Sequence, residues 1–155
     1  MQEKKDRTVA ENRKAYHEYF IEERMEAGIE LSGTEVKSIR AGKVTLGESY
    51  AAVVDGELWL IGCHVSPYEQ GNRFNREPTR TRRLLMHKSE IARLYGLVKQ
   101  KGLTLVPTKM YFRAGMVKVE VGVGRGKKLH DKRDAEAERQ AGRDIDRRLK
   151  GQREE

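Results

Sequence analysis

An alternation of valine with polar or small residues near position 120 constrains the fold more than any other feature of the sequence. Four valines occupy every second position: Val117, Val119, Val121 and Val123. Between them stand Lys118, Glu120 and Gly122. Since successive side chains of a strand point to opposite faces, this segment is predicted to be a strand with one face in a core. Such a strand needs partners, because its backbone hydrogen-bonding groups must be satisfied by other strands.

Turn signals divide the central part of the chain into further short strands. Asp55-Gly56 separates two runs rich in β-prone residues and predicts a hairpin within residues 49–65. A second turn, at residues 113–115, separates the valine-rich strand from the run before it. We also expect a short strand at residues 84–87. Residues 17–31 are compatible with a helix, but a long bent strand is favoured, with Gly28 marking either a bulge or a close approach of another chain segment.

Two segments have the pattern of helices. Residues 88–101 carry apolar side chains at helical spacing, with Ser89 as the expected N-terminal cap and Gly102 as the stop. A shorter helix is expected to begin at the cap Thr34 and to end at Gly42. The helices are too few and too short to form a core of their own, so the core is expected to lie within a sheet.

The two ends of the chain differ in composition from its centre. Residues 1–11 are polar and are expected to form a flexible N-terminus. Residues 127–155 hold ten basic and eight acidic residues, which predicts a tail that is disordered alone and becomes helical against a charged surface. Between them, residues 12–126 are predicted to be mainly β with small helices, as an OB-type antiparallel β-barrel. A small α+β sandwich is the alternative.

The distribution of charge indicates an anionic partner. The chain of 155 residues has a net charge of +8, of which residues 1–126 contribute +6. Five arginines fall within eleven positions: Arg73, Arg76, Arg80, Arg82 and Arg83. A folded domain that presents such a cluster is typical of phosphate-binding surfaces, although a solvated loop would have a similar composition.

The sequence patterns of several catalytic classes are incomplete. Val121 stands where a P-loop would have its first glycine, and Lys128 stands where serine or threonine would bind magnesium. The four histidines lack the spacing of a zinc-binding helix, and Cys63 is the only cysteine. We therefore predict a protein that is not an enzyme and that uses no metal or other cofactor.

Composition also bears on where the protein works. No apolar run approaches the length of a membrane span, and the first fifteen residues are too charged for a secretory signal. A single cysteine cannot form an intrachain disulfide, which suits a reducing compartment. We expect a cytoplasmic protein that does not associate with membranes.

Four segments carry a resemblance to a known family. They read NRKAYH at 12–17, EAGIELSGTEVKS at 26–38, PTRTRRLLMH at 78–87 and GRGKKLHDKR at 124–133. Together with KGLTLVPTKMYF at 101–112, they resemble the tmRNA-binding small protein B family, also called SsrA-binding proteins, in order and spacing. Each segment alone is weak, whereas all of them together are specific.

The resemblance implies an OB-type barrel that binds the tRNA-like domain of tmRNA and delivers it to stalled ribosomes. In trans-translation the alanylated tmRNA arrives with elongation factor Tu and GTP, and translation resumes on the tag-encoding reading frame. The resemblance also implies that the tail senses the small-subunit decoding centre and the empty mRNA channel.

Particular residues receive roles from the same resemblance. Those expected to contact RNA are Asn12, Arg13, Lys14, Glu26, Arg80, Arg82, Arg83, Leu85 and Lys118. Alternation places Arg80 and Arg82 on one face, where they would meet adjacent phosphates. Leu85 belongs either to the core or to an apolar contact with an unstacked base. Those expected to contact the ribosome are Lys127, Lys128, His130, Asp131, Lys132 and Arg133.

Two other functions are compatible with a basic β domain. One is a general RNA-binding or ribosomal protein that recognises a different folded RNA. The other is an RNA-processing enzyme, which would cleave or modify structured RNA and which the incomplete catalytic patterns disfavour.

Overall fold

The computed structural model describes residues 6–127. The chain consists of two units, Met1–Arg125 and Gly126–Glu155. The strands described in it are β1 (Arg7–Glu11), β2 (Tyr19–Ile29), β3 (Val44–Thr45), β4 (Tyr50–Val54), β5 (Glu57–Ile61), β6 (His64–Val65), β7 (Arg82–Leu85), β8 (Thr104–Arg113) and β9 (Met116–Gly126). The helices are α1 (Arg13–Glu18), α2 (Gly33–Arg40) and α3 (Lys88–Lys101), with a 3₁₀ helix at Glu69–Phe74.

Seven of the strands form one sheet, and six of them, all but β1, pair in a closed ring. Their order is β1-β8-β4-β5-β7-β2-β9, and β8 also pairs with β9. The length of β8 allows it three antiparallel partners: it meets β4 at Leu105, β1 between Lys109 and Phe112, and β9 along most of its length. β3 and β6 form a separate two-stranded pair. The prediction of a mainly β fold with small helices is confirmed.

The core lies inside this ring. All four alternating valines of β9 are buried, which confirms the one-sided strand predicted from their spacing. They are joined by other inward residues of the ring, among them Leu58, Leu60, Leu84, Leu105 and Met110. Burial of these side chains supplies the main favourable free energy of folding.

Both predicted hairpins are present, and their turns need left-handed backbone. Asp55 and Gly56 have φ angles of 51° and 77° between β4 and β5, and Ala114 and Gly115 have 51° and 80° between β8 and β9. Two-residue turns of this kind match the twist of the strands that they join.

The N-terminal segment differs from its prediction. Residues 7–11 were expected to be flexible, but they form β1 and pair with β8 from Phe112 to Lys109. The short helix α1 was also unforeseen, because six residues provide too little periodicity to be recognised. The strand predicted over residues 17–31 is confirmed as β2, which begins after α1.

The predicted helix caps were misplaced by two residues. Ser32 rather than Thr34 caps α2, in a capping box with Glu35. His87 rather than Ser89 occupies the cap position of α3 and makes no side-chain capping hydrogen bond. The end of α3 at Gly102 is confirmed, with a φ of 64°. Within the described residues, no helix combines the length and hydrophobicity of a transmembrane span.

Candidate nucleic-acid interface

Outward side chains of β2, β8 and β9 form a charged cluster, the Glu26 cluster, made of Glu26, Tyr111, Arg113 and Lys118. The Tyr111 hydroxyl donates to Glu26 Oε1 at 2.6 Å, and Arg113 Nη1 lies 3.0 and 3.1 Å from the two carboxylate oxygens. Lys118 is the cross-strand partner of Tyr111. The hydrogen bond from Tyr111, with Arg113 and Lys118 nearby, lowers the pKa of Glu26 despite partial burial.

The Glu26 cluster is suited to polar contacts with RNA. An ionised carboxylate accepts hydrogen bonds from base edges or 2′-hydroxyls, and the lysine beside it attracts phosphate. Because Tyr111 and Arg113 hold the carboxylate, its orientation is fixed before any ligand arrives. Glu26 and Lys118, which the sequence placed on separate strands, are therefore brought together.

Leu85 lies on the outer surface and not in the core. Its side chain is 44% exposed, which removes the first of the two roles considered for it. It pairs with Gly28 across β7 and β2, and a Cβ atom at Gly28 would stand 3.3 Å from Leu85 Cβ. Gly28 therefore leaves the apolar side chain uncovered, and Gly28 shares the outward face of β2 with Glu26.

Arg80 and Arg82 share one partner, the carboxylate of Glu35 in α2. Arg80 donates to its two oxygens at 3.0 and 2.6 Å, and Arg82 Nε donates to Oε2 at 2.7 Å. The remaining Arg82 donors reach the backbone oxygens of Cys63 at 2.7 Å and Pro78 at 3.0 Å. This Glu35–Arg80–Arg82 network fastens residues 66–81, the loop between β6 and β7, to α2.

The expected phosphate contact of Arg82 requires correction. Its side chain is 0% exposed, and the Glu35 side chain is 4% exposed. Both arginines point to the Glu35 carboxylate, although Arg80 precedes β7 and is not part of a strand. Arg82 therefore supports the loop, while Arg80 keeps partial exposure. The arginine-rich segment is to this extent structural, because a buried guanidinium must be paired and hydrogen-bonded.

Arg83 follows Arg82 in β7 and points to the outer face of the strand. It lies 2.9 Å from Glu57 and 3.6 Å from Glu30, with 39% of its side chain exposed. Exposed ion pairs of this kind contribute little to stability and exchange readily for other partners. Arg83 therefore remains available to an incoming phosphate.

Glu35 makes the stability of the fold dependent on acid. Burial opposes its ionisation, but hydrogen bonds from Arg80, the Ser32 N–H and Arg82 outweigh burial and lower its pKa from 4.5 to about 2. Since the folded pKa lies below the unfolded one, the stabilisation is complete above about pH 5 and is lost as pH falls towards 2. We expect this one group to remove on the order of 3 kcal/mol over that range. Urea titrations at successive pH values measure the free energy of unfolding. Its dependence on pH should be weaker for Glu35→Gln than for the wild-type chain. Equal dependence on pH in the two proteins would contradict the prediction.

Asn12 is buried, and both polar atoms of its side chain are hydrogen-bonded within the protein. Its Nδ2 donates to Pro107 O at 2.8 Å, its Oδ1 accepts from Ala15 N–H at 3.3 Å, and 3% of the residue is exposed. The Asn12 N–H also donates to Thr108 O at 2.8 Å, where the β8–β9 register shifts. Asn12 thus caps α1 and ties it to β8, which positions the two cations that follow.

Arg13 and Lys14 are exposed on α1. Lys14 forms an ion pair with Glu48, and this hydrogen bond raises the pKa of Lys14. Arg13 borders a cavity of about 430 Å³ that is also lined by Tyr16, Arg24, Thr108, Lys109 and Glu120. The lining combines three cations, Arg13, Arg24 and Lys109, with two carboxylates, Glu11 and Glu120, and the cations suit contacts with a sugar-phosphate backbone.

Comparison with known proteins places the chain in a family. A family model described as "SmpB protein" matches residues 9–151. The chain belongs to the SmpB family. The SsrA-binding protein of Ruminiclostridium cellulolyticum is 64% identical over 144 residues, covering 93% of this chain and 94% of that protein. The SsrA-binding protein of Acetivibrio thermocellus is 60% identical over 150 residues, covering 97% of each.

A solved structure supports the same relationship. It is described as "tmRNA-SmpB: a journey to the center of the bacterial ribosome" and shares 55% sequence identity with this chain. The TM-score is 0.65, and the similarity covers 77% of this chain and 85% of that one. At this level of identity the likeness extends beyond general architecture to the SmpB family.

Most of the predicted ribosome contacts lie outside the described residues. These are Lys128, His130, Asp131, Lys132 and Arg133. Lys127 is the last residue described and is half-buried. Within residues 6–127, no group of three or more histidine, cysteine, aspartate or glutamate side chains is arranged to hold a metal ion.

Three residues of this SmpB-family chain were not recognised as part of a site. Tyr111 and Arg113 alternate outward on β8, and the pairing of β8 with β9 would have placed Tyr111 beside Lys118. Glu35 lies in the first turn of α2, where an acidic residue is ordinarily a helix-stabilising charge. No local signal indicated that it would accept hydrogen bonds from two arginines far along the chain.

Proposed function

We propose that this chain binds the tRNA-like domain of tmRNA and delivers it to stalled ribosomes in trans-translation. The observation that carries the proposal is its membership of the SmpB family over residues 9–151. Relatives of similar length are SsrA-binding proteins, and the description of the similar solved structure names tmRNA-SmpB and the bacterial ribosome. The positive charge of the chain is consistent with an RNA partner.

The proposed RNA surface runs across the outer faces of β7, β2, β9 and β8. Lys118 and Arg83 are assigned to phosphates, Glu26 to base edges or 2′-hydroxyls, and Leu85 to an unstacked base. Arg13 and Lys14 are assigned to the sugar-phosphate backbone beside α1. Asn12, Arg80 and Arg82 contribute by holding α1 and the 66–81 loop, because their polar groups are bonded within the protein.

We assign the ring of strands to the OB type. Support comes from its closure through β8 and β9 and from its filled apolar interior. An OB barrel presents donors on a rigid curved surface, which favours recognition of the shape of a folded RNA over its sequence.

The ribosomal part of the function is assigned to residues 127–155. In this proposal Lys127, Lys128, His130, Asp131, Lys132 and Arg133 contact the decoding centre and the mRNA channel. Elongation factor Tu with GTP belongs to the same delivery complex, and the place of action is the cytoplasm. The chain acts as an adaptor, so no catalytic group, metal or cofactor is assigned.

Binding to the isolated tRNA-like domain tests the core of the proposal. We expect this RNA to be preferred over a random polyanion at physiological salt, because the surface combines fixed donors with an acceptor at Glu26. If about six phosphates are neutralised, log K should fall against log[salt] with a slope of roughly −4 to −5. Lys118→Gln should weaken binding about tenfold, whereas Lys101→Gln on α3, with the same loss of charge, should have little effect.

The two alternative functions, a general RNA-binding protein and an RNA-processing enzyme, predict different results. Equal affinity for heparin and the tRNA-like domain would contradict selective recognition and favour a general RNA-binding protein. Cleavage or modification of a labelled structured RNA, with or without magnesium, would contradict the assignment as an adaptor.

A further inference from the structure

Phe74, at the end of the 3₁₀ helix in the 66–81 loop, is the most exposed large apolar residue described in the structure. Its side chain is 66% exposed, and Arg73 lies 5.1 Å from the centroid of its ring. A phenylalanine exposed to this extent does not contribute the favourable free energy that its burial would supply. Nothing in the fold of residues 6–127 requires an aromatic ring at this position, so a contact outside the chain is the simplest physical reason for it.

The loop holds Phe74 in a defined place. Thr34 Oγ1 donates to Phe74 O at 3.1 Å, and Asn75 closes the loop by exchanging hydrogen bonds with the Tyr68 backbone at 2.9 and 2.8 Å. Gly71 is packed so tightly that a Cβ atom there would lie 2.7 Å from Asn75 Oδ1. Because these contacts hold the backbone at Phe74, little backbone conformational entropy is left to lose on binding.

The end of the loop that leads into β7 is also held by hydrogen bonds. The Glu35–Arg80–Arg82 network joins α2 to the segment that leads into β7, with Arg82 donating to Pro78 O at 3.0 Å. The buried network and the exposed ring therefore belong to the same anchored loop. The network fixes the direction in which the loop projects Phe74.

The charge around Phe74 favours a partner that is both aromatic and anionic. Among the ion pairs of the described residues, neither Arg73 nor Arg76 takes part, in contrast to Arg80, Arg82 and Arg83. Glu69 and Glu77 lie in the same loop, so its charge is mixed, but Arg73 lies against the ring and Arg76 follows it by two positions in the sequence. An aromatic ring beside guanidinium groups is a platform for stacking an unpaired base next to its phosphates.

We propose that Phe74 and Arg73 form a stacking site for an unpaired nucleobase, separate from the Glu26 cluster. The site rests on the proposed function, since it takes RNA as the ligand. The base comes either from the tRNA-like domain or from ribosomal RNA, and the two sources share the same chemistry. A protein partner is disfavoured because the side chain recorded against the ring is the cation Arg73, with no apolar surface described around it in residues 6–127.

Substitution of Phe74 tests the site with two binding measurements. Phe74→Ala and Phe74→Leu should each weaken binding by roughly 5- to 100-fold, the range expected for loss of one stacked base, whereas Phe74→Trp should retain it. The first measurement uses the isolated tRNA-like domain. The second uses stalled ribosomes and the full chain already saturated with tmRNA. A loss in the first assigns the base to tmRNA, and a loss only in the second assigns it to ribosomal RNA.

Tyr95→Ala on α3 is the matched control, since Tyr95 is also exposed and also has a cation, Lys99, near its ring. Its effect should be less than about twofold, and melting temperatures should verify that every variant is folded. Unchanged binding of Phe74→Ala in both measurements, or equal losses for Phe74→Ala and Tyr95→Ala, would overturn the site. Failure of the wild-type chain to bind tmRNA would instead contradict the proposed function, so the two failures are distinguishable.

Discussion

Replacement of Glu35 by glutamine is expected to reduce the free energy of unfolding by about 3–5 kcal/mol at neutral pH. The substitution keeps the size of the side chain but removes the charge that compensates Arg82, whose guanidinium is completely buried. A buried cation without its partner has lost solvation by water and gains too little in return. Arg80 suffers less, because part of its side chain reaches solvent.

Urea denaturation of Glu35→Gln measures this loss, and Glu57→Gln provides the matched control. Glu57 also pairs with an arginine, Arg83, but both side chains of that pair are about one-third exposed. Glu57→Gln should therefore lower the free energy of unfolding by less than about 1 kcal/mol. Equal losses for the two variants would show that burial of the network does not govern its contribution. A loss confined to Glu35 would also predict increased proteolysis within the 66–81 loop, since the network fastens that loop.

Truncation after Gly126 is expected to abolish peptide tagging while leaving the affinity for the tRNA-like domain within about threefold of the full chain. All contacts proposed with the tRNA-like domain lie between Arg13 and Lys118. The removed residues 127–155 carry a net charge of only +2, so their loss changes the electrostatic attraction little. The step that requires them is proposed to take place on the ribosome, after tmRNA has been bound.

A reconstituted translation system with an mRNA that lacks a stop codon measures tagging, and binding of labelled RNA measures affinity. Lys118→Gln is the converse control, because it should weaken tmRNA binding yet restore tagging at saturating protein concentration. Loss of both activities on truncation would contradict the division of labour between the two parts of the chain. Tagging by the truncated protein would contradict the role proposed for the tail.

Much of the fold could be predicted because its signals are local. The valine alternation, the turn at Asp55-Gly56 and the left-handed stop at Gly102 each depend on backbone geometry over a few neighbouring residues, and each is confirmed. The sequence prediction was wrong where an element has few residues or where two neighbouring residues give the same signal. α1 has six residues, and Ser32 and Thr34 are both acceptable caps, so only the observed geometry distinguishes them.

The candidate site was predicted less completely, because residue type does not reveal burial. The sequence by itself determined a β-rich chain with a basic surface and, through the order and spacing of its motifs, the family. Only the tertiary structure decided that Leu85 is exposed, that Asn12 is buried and that Arg82 is structural. Arg82 meets Glu35 from 47 positions away, and such a pairing is fixed by the path of the whole chain. Whether a charged group serves the fold or a ligand depends on that pairing, because a charge removed from water must be compensated inside the protein.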